Sequence, residues 1–155
     1  MPVLTAREAA DLAARLRENG KSVVFTNGVF DLLHPGHVRY LRAARLEGDA
    51  LIVGVNSDRS VRENKGPSRP VIPEAERAEM IAALECVNAA VIFDEPTPAD
   101  IIRQIRPHVL VKGADWAADR IVGRDTVEAD GGRVVRVAIE PGWSTTSIIA
   151  RTRRS

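Results

Sequence analysis

The sequence predicts an α/β fold, a Rossmann-like parallel sheet of five strands with helices on both faces, and three observations lead there. Short β-branched runs alternate along the chain with longer segments whose apolar residues recur at helical spacing, an order that implies βαβ crossovers and a parallel sheet. Of the 155 residues 45% are hydrophobic but only 4% aromatic, so the core is mostly Val, Leu, Ile and Ala, which suits helices packed on a sheet. There is no internal repeat, linker or low-complexity stretch, so residues 1–155 are expected to form one domain.

The elements follow in order. Thr5 and Glu8 match a capping box, helical spacing follows, and Asn19-Gly20 closes a first helix. "SVVFT" (22–26) is a strand, "HVRYLRAARLEG" (37–48) a helix and "ALIVGV" (50–55) a second strand. Residues 56–72 are polar, charged and broken by Gly and two prolines, and read mostly as a long loop of the kind that tends to be functional. A helix over 73–84, with Pro73 at its start, leads to the strand "AAVIF" (89–93). A helix at 98–105, the strand "HVLVK" (108–112), a short helix at 124–132 and a fifth strand, "RVVRVA" (133–138), come next. The hydroxyl-rich start of "STTSIIARTRR" (144–154) suits a helix N-cap. In such a sheet ligands bind outside the carboxyl ends of the strands.

Composition excludes several function classes. Twenty-two basic residues nearly cancel twenty-one acidic ones, for a formal charge of +1, so no global field recruits nucleic acid or a membrane and any anion site must be local. Cys86 is the only cysteine, which excludes a disulfide framework and a cysteine-based zinc cluster. The N-terminus lacks an apolar signal region and no window could span a bilayer, so a cytoplasmic protein is expected. The basic end "RTRRS" reads as a solvated helix terminus.

"TNGVFDLLHPGH" (26–37) places two of the three histidines around a Pro-Gly pair where the first strand meets its crossover helix. Backbone N–H groups and the helix dipole favour an anion at that place. His34 in the turn and His37 in the first helical turn can donate hydrogen bonds to charge that grows during displacement at phosphorus, with no covalent intermediate. Helical zinc pairs are usually four apart with a carboxylate nearby, so no resident metal is expected. His108 has no such context and reads as a solvated or capping residue. Neither a P-loop sequence nor G-x-G-x-x-G occurs, which weighs against P-loop and ordinary dinucleotide-binding chemistry.

With these residues in view, the chain resembles the small nucleotidylyltransferases, whose mark is H-x-G-H at the first strand-to-helix turn. "GWSTTSII" (142–149) is similar to their second motif, a Ser/Thr-rich helix start. "KGPSRPV" (65–71), "IRPHVLVKGADW" (105–116) and "IVGRDTVEADGG" (121–132) resemble more closely the adenylyltransferase domain of ADP-heptose synthases, from about Gly20 to Arg151. That domain is often fused behind a sugar kinase. The chain is too short to hold one, so a stand-alone form with a separate kinase is expected. The related glycerol-3-phosphate cytidylyltransferases carry an arginine shortly before G-x-S-T-T. Here no basic residue lies between Arg136 and Ser144, which weighs against that alternative and leaves open which cation replaces it.

The resemblance implies transfer of AMP from ATP to D-glycero-β-D-manno-heptose 1-phosphate, with release of pyrophosphate, in lipopolysaccharide inner-core synthesis. His34, His37 and Lys65 are then the expected catalytic residues. Thr26, Asn27, Gly28 and Phe30 would line the nucleotide pocket, with Asp31 orienting the turn or reaching Mg²⁺. Lys65 and Arg69 would close over phosphates from the long loop, and Ser144, Thr145 and Thr146 would offer hydroxyls and free N–H groups to the β- and γ-phosphates. Lys112, Gly113, Asp115 and Trp116 would border nucleoside or sugar. ATP, Mg²⁺ and the sugar phosphate are the expected ligands and a homodimer the expected assembly. A non-catalytic ATP-binding module is the rival reading, and pyrophosphate release separates the two.

Overall fold

The computed structural model describes residues 2–115, 117–139 and 142–154. Its strands are β1 (Val3–Leu4), β2 (Val23–Gly28), β3 (Ala50–Asn56), β4 (Ala89–Phe93), β5 (Val109–Gly113) and β6 (Arg133–Val137). Its helices are α1 (Ala6–Glu18), α2 (Pro35–Arg45), α3 (Asp58–Lys65), α4 (Glu74–Ala82), α5 (Ala99–Ile105), α6 (Arg124–Ala129) and α7 (Thr145–Thr152), with a 3₁₀ turn at Ala118–Arg120. All pairings are parallel and the order across the sheet is β1-β4-β3-β2-β5-β6.

The sheet therefore has six strands, not five. The extra one is an edge strand in which Val3 and Leu4 pair with Ala90 and Val91. Two residues are too few to show alternation, which is why the pattern did not reveal it. The stretch expected to be mostly loop also holds a helix, α3. Ser57 caps it by accepting a hydrogen bond from Ser60 N–H at 3.2 Å, with Asp58 in its first turn and Arg62 and Lys65 in its last. Charges complementary to the helix dipole support it, while Val61 is its one buried apolar residue, too little for a periodic signal.

Strand alternation divides the core in two. Val24, Leu51, Val53, Val55, Val109 and Val111 face Leu41 and Ala44 of α2 and Ala78, Ile81 and Ala82 of α4. Val23, Phe25, Ile52, Val91 and Leu110 face α1, α5 and α6 through residues such as Ala13, Ile102 and Val127. Each long strand thus sends successive residues to opposite faces, as a sheet covered by helices on both sides requires. At α1 the capping box forms: Thr5 Oγ1 accepts from Glu8 N–H, and Glu8 Oε1 from Thr5 N–H, both at 3.1 Å.

The chain lays down β2, β3 and β4 in one direction and then crosses to the other side of β2 for β5. The crevice at the carboxyl ends of β2 and β5 is the topological switch point. His108 lies at the opposite end, where its Nδ1 accepts from Val23 N–H at 2.9 Å and ties the start of β5 to the start of β2. That bond makes it a structural bridge rather than a free surface imidazole.

Candidate active site

A cleft of about 560 Å³ opens at the switch point. β2 carries Asn27 and Gly28 to its rim, and the chain then turns sharply through Phe30, which holds a left-handed φ of 51° although buried. Strain of that kind in a non-glycine residue persists only where packing enforces it. Here the Phe30 ring meets His37 edge-on, with centroids 5.4 Å apart.

The two histidines cap α2 reciprocally. Pro35 starts the helix, His34 is its N-cap and His37 its third residue. His37 N–H donates to His34 Nδ1, and His34 N–H donates to His37 Nδ1, each at 3.4 Å. With both Nδ1 atoms accepting, each neutral ring carries its proton on Nε2, and Nε2–H is the donor left for the cleft that both rings line. The rings stack 3.7 Å apart at 20°. Burial pushes the His37 imidazole down to about 4, helped by the nearby His34, and burial also lowers His34. The pair is therefore uncharged near neutrality and works as two hydrogen-bond donors rather than as fixed cations.

The facing wall comes from α7. Ser144 caps it, accepting from Ser147 N–H at 3.0 Å. Thr145 Oγ1 accepts from Leu32 N–H at 3.4 Å, which docks the helix start on the histidine turn, and Thr146 Oγ1 accepts from Arg69 Nη2 at 3.2 Å. Trp143 stacks on His34, centroids 5.9 Å apart, and Arg151 lies 5.6 Å above the Trp143 ring. Gly36 permits this approach, since a Cβ there would meet both the His34 ring and Trp143 Cβ at 2.9 Å.

Between these walls lies β5. Lys112 Nζ donates to Asn27 Oδ1 on the neighbouring strand, and burial lowers its ammonium to about 8. Gly113 and Asp115 continue the floor, and Lys65 and Arg69 complete the cleft from the end of α3 and the segment after it. One expected pocket residue is placed differently, and the other sits at the cleft with its partners defined. Thr26 is wholly buried and stitches α2 to β5 through Tyr40 OH and the Val111 carbonyl, both at 2.9 Å, so it lies beneath the cleft and does not line it. Asp31 borders the cleft, but its carboxylate is occupied: Val71 N–H lies 2.9 Å from both oxygens and Ile72 N–H donates to Oδ1 at 2.9 Å. It ties the 66–72 segment to the histidine turn. Trp116 lies outside the described residues.

Beyond Trp143 and Arg151 on the α7 wall, two residues that sequence reasoning missed stand out. Tyr40 lines the cleft, and a helical Tyr on an apolar face gives no signal beyond packing. Arg77 is fully buried in α4 and makes four hydrogen bonds: Nε to the Ile72 carbonyl, Nη1 to those of Val29 and Asn56, and Nη2 to Asp58, all between 2.7 and 2.8 Å. The charged run "PEAERAEM" offers nothing to single it out. Among the described residues no group of three or more His, Cys, Asp or Glu could hold a metal, and no helix is long and apolar enough to cross a membrane.

A neutral imidazole pair facing a hydroxyl-lined helix start, with cations on two sides, suits recognition of a polyphosphate. Residues 25–151 match the Cytidylyltransferase-like family model. The bifunctional protein HldE of Syntrophotalea carbinolica is 56% identical over 135 residues, 87% of this chain and 28% of its own length. That of Acidiphilium cryptum is 52% identical over 151 residues, 97% of this chain and 31% of its own. The chain thus spans under a third of these curated relatives. Among solved structures, the lipopolysaccharide core biosynthesis protein of Thermoplasma volcanium matches with a TM-score of 0.64 and 30% identity, over 78% of this chain and 98% of that one. An Archaeoglobus fulgidus protein of unknown function matches with a TM-score of 0.57 and 25% identity, over 76% and 88%. The cap, the cleft and these likenesses agree: the chain belongs to the cytidylyltransferase-like family of nucleotidyltransferases.

Proposed function

We propose that the chain transfers AMP from ATP to a heptose 1-phosphate, D-glycero-β-D-manno-heptose 1-phosphate in the fullest form of the reading, giving ADP-heptose and pyrophosphate. The observation that carries it is the reciprocal His34–His37 cap, which leaves two Nε2–H donors beside the hydroxyl-bearing start of α7. The sugar comes from the likeness to the HldE proteins over nearly the whole chain and from the name of the Thermoplasma neighbour.

The acceptor's phosphate oxygen attacks the α-phosphorus of ATP in line, a new P–O bond forms, and the bond to the departing pyrophosphate breaks. The protein's work is placement and charge stabilisation, and no side chain needs to become a nucleophile. His34 and His37 donate from Nε2 to oxygens whose charge grows in the transition state. Ser144, Thr145 and Thr146 offer hydroxyls and free N–H groups to the β- and γ-phosphates. Arg69, hydrogen-bonded to Thr146 Oγ1, brings a guanidinium to the start of α7, where residues 137–143 supply no cation. Lys65 and Lys112 add charge from either side. A Mg²⁺ ion bound with the triphosphate would offset part of its negative charge, and Asp31 at the cleft edge, already accepting from the Val71 and Ile72 N–H groups, is the carboxylate nearest the histidine turn that could help hold it.

ATP as the donor fits a cytoplasmic setting, and a homodimer is the assembly we propose, to be checked by light scattering at micromolar concentration. The decisive experiment offers a panel of sugar and polyol phosphates with each of the four nucleoside triphosphates and Mg²⁺, and measures pyrophosphate. The expected result is turnover with ATP and the heptose 1-phosphate. Turnover only with CTP and glycerol 3-phosphate overturns the substrate, and ATP binding without pyrophosphate under any pairing overturns the reaction.

A further inference from the structure

We propose that Arg77 is a positioning residue whose guanidinium staples both ends of the 58–72 segment and thereby sets where Lys65 and Arg69 stand against the histidine turn. This rests on the function proposed above for its kinetic consequence, though not for the staple itself. Upstream, Arg77 Nη2 donates to Asp58, the first residue of α3, at 2.8 Å. Downstream, its Nε donates to the Ile72 carbonyl at 2.8 Å. Between those two points lie Lys65, at the end of α3, and Arg69.

The same guanidinium also fixes the frame against which the segment is held. Nη1 donates to the Val29 carbonyl, in the turn leading to His34, at 2.7 Å and to the Asn56 carbonyl, at the end of β3, at 2.8 Å. Both of those residues line the cleft, while Arg77 is 0% exposed and does not. Asp31 completes the downstream anchor by accepting from the two N–H groups next to the carbonyl that Arg77 holds. A planar fork of five N–H donors can bind four acceptors on separate segments at once. A lysine ammonium is a single point and cannot reach across them. α3 is short and regular, so fixing its first turn aims its last residue.

A staple of this kind predicts coupling between Arg77 and the cations it places. The test measures kcat and KM for wild type, Lys65→Ala, Arg77→Lys and the double variant of the full chain. Arg77→Lys is expected to lower kcat on the order of tenfold or more while ATP KM moves less than about threefold. Lys65→Ala, costly in the wild type, is expected to cost under about twofold in the Arg77→Lys background, because the lysine no longer stands where it acts. Penalties that simply multiply would show Arg77 to be an ordinary core buttress and overturn the proposal.

Should Arg77→Lys not fold, Asp58→Ala opens the upstream end of the staple, and its cycle with Lys65→Ala is expected to be coupled in the same sense. Hydrogen exchange supplies a readout independent of turnover. Amides of 58–72 should exchange faster in the folded variant while those of Leu51–Val55 keep their protection, and equal changes in both stretches overturn the staple. Absence of nucleotidyl transfer in the wild type would instead sink the function proposed above, and the exchange result would still decide this one.

Discussion

Replacing His37 by asparagine tests the imidazole pair at one atom. Asn Oδ1 can take the place of Nδ1, which now accepts from His34 N–H at 3.4 Å, so the helix cap survives while the Nε2–H donor disappears. Loss of one donor to charge that develops in the transition state costs about 10²–10³ in kcat. The substitution also removes a titrating group whose sign is clear. His37 is pushed from 6.5 down to about 4 by burial first and by His34 second. Between those values the unfolded chain binds more protons than the folded one, so the stability this ring contributes is present above pH 6.5 and is lost as pH falls toward 4. That drop corresponds to about 3 kcal/mol at full effect, and to about 1–2 kcal/mol once solvent screening at a part-exposed ring is counted. In a chain of this length the loss lowers Tm by about 2–8 °C. Two protonated rings stacked 3.7 Å apart would repel by about 4 kcal/mol at an effective dielectric of 20, so the pair takes up at most one proton in the folded state. The assays are pyrophosphate release at saturating substrates and calorimetric melts from pH 7 to 4. Near-normal kcat with an early melt at pH 7, or a pH dependence of Tm unchanged by the substitution, would refute the reasoning.

Lys65→Ala is expected to lower kcat more than it raises KM for ATP, and ATP should protect the Lys65–Gly66 bond from trypsin. Kinetics within about twofold of wild type and equal cleavage with and without ATP would show a solvated surface charge. Lys112, held near pH 8 by burial, should regain its proton when a triphosphate arrives beside it. Titration calorimetry at pH 8 in two buffers of different ionisation enthalpy should then show net proton uptake, abolished in Lys112→Met. Asp31→Ala leaves the Val71 and Ile72 N–H groups without their acceptor, at about 1–3 kcal/mol for each group that stays buried. Because the segment can undock into water instead, the expected outcome is about tenfold lower kcat/KM with Tm down by only a few degrees. A large fall in Tm with normal kcat/KM would contradict the clamp.

Alternation and helical spacing were enough to read the five longer strands and the helices that bury an apolar face, since burial on both sides of a sheet imposes those periods. What escaped notice had no period to show. β1 is two residues long, and α3 buries one apolar side chain among charges. The histidine turn and the hydroxyl-rich helix start were visible because their chemistry is local in the chain. Asp31 and Thr26 stood out by position but their partners did not, and Arg77 did not stand out at all, because these contacts are decided far away in sequence: amides at 71 and 72 for Asp31, Val111 for Thr26, and carbonyls at 29, 56 and 72 for Arg77. The cation proposed here to serve the start of α7 is likewise remote in sequence. Arg69 reaches Thr146 across 77 positions of chain.

α7 contributes no buried residue, and both apolar clusters are complete by Val137. Its grip on the histidine turn is the Leu32–Thr145 hydrogen bond, across 113 positions, together with the Trp143 ring on His34. Removing residues 142–154 would therefore leave both apolar clusters whole while taking away the wall proposed here to hold the phosphates. A protease that trims α7 would be expected to leave such a form, folded but inactive. Antibodies against the core, or a melting curve, would count such a clipped population as intact, whereas turnover would not. Specific activity, rather than yield of folded protein, is the measure of how much of a preparation is whole.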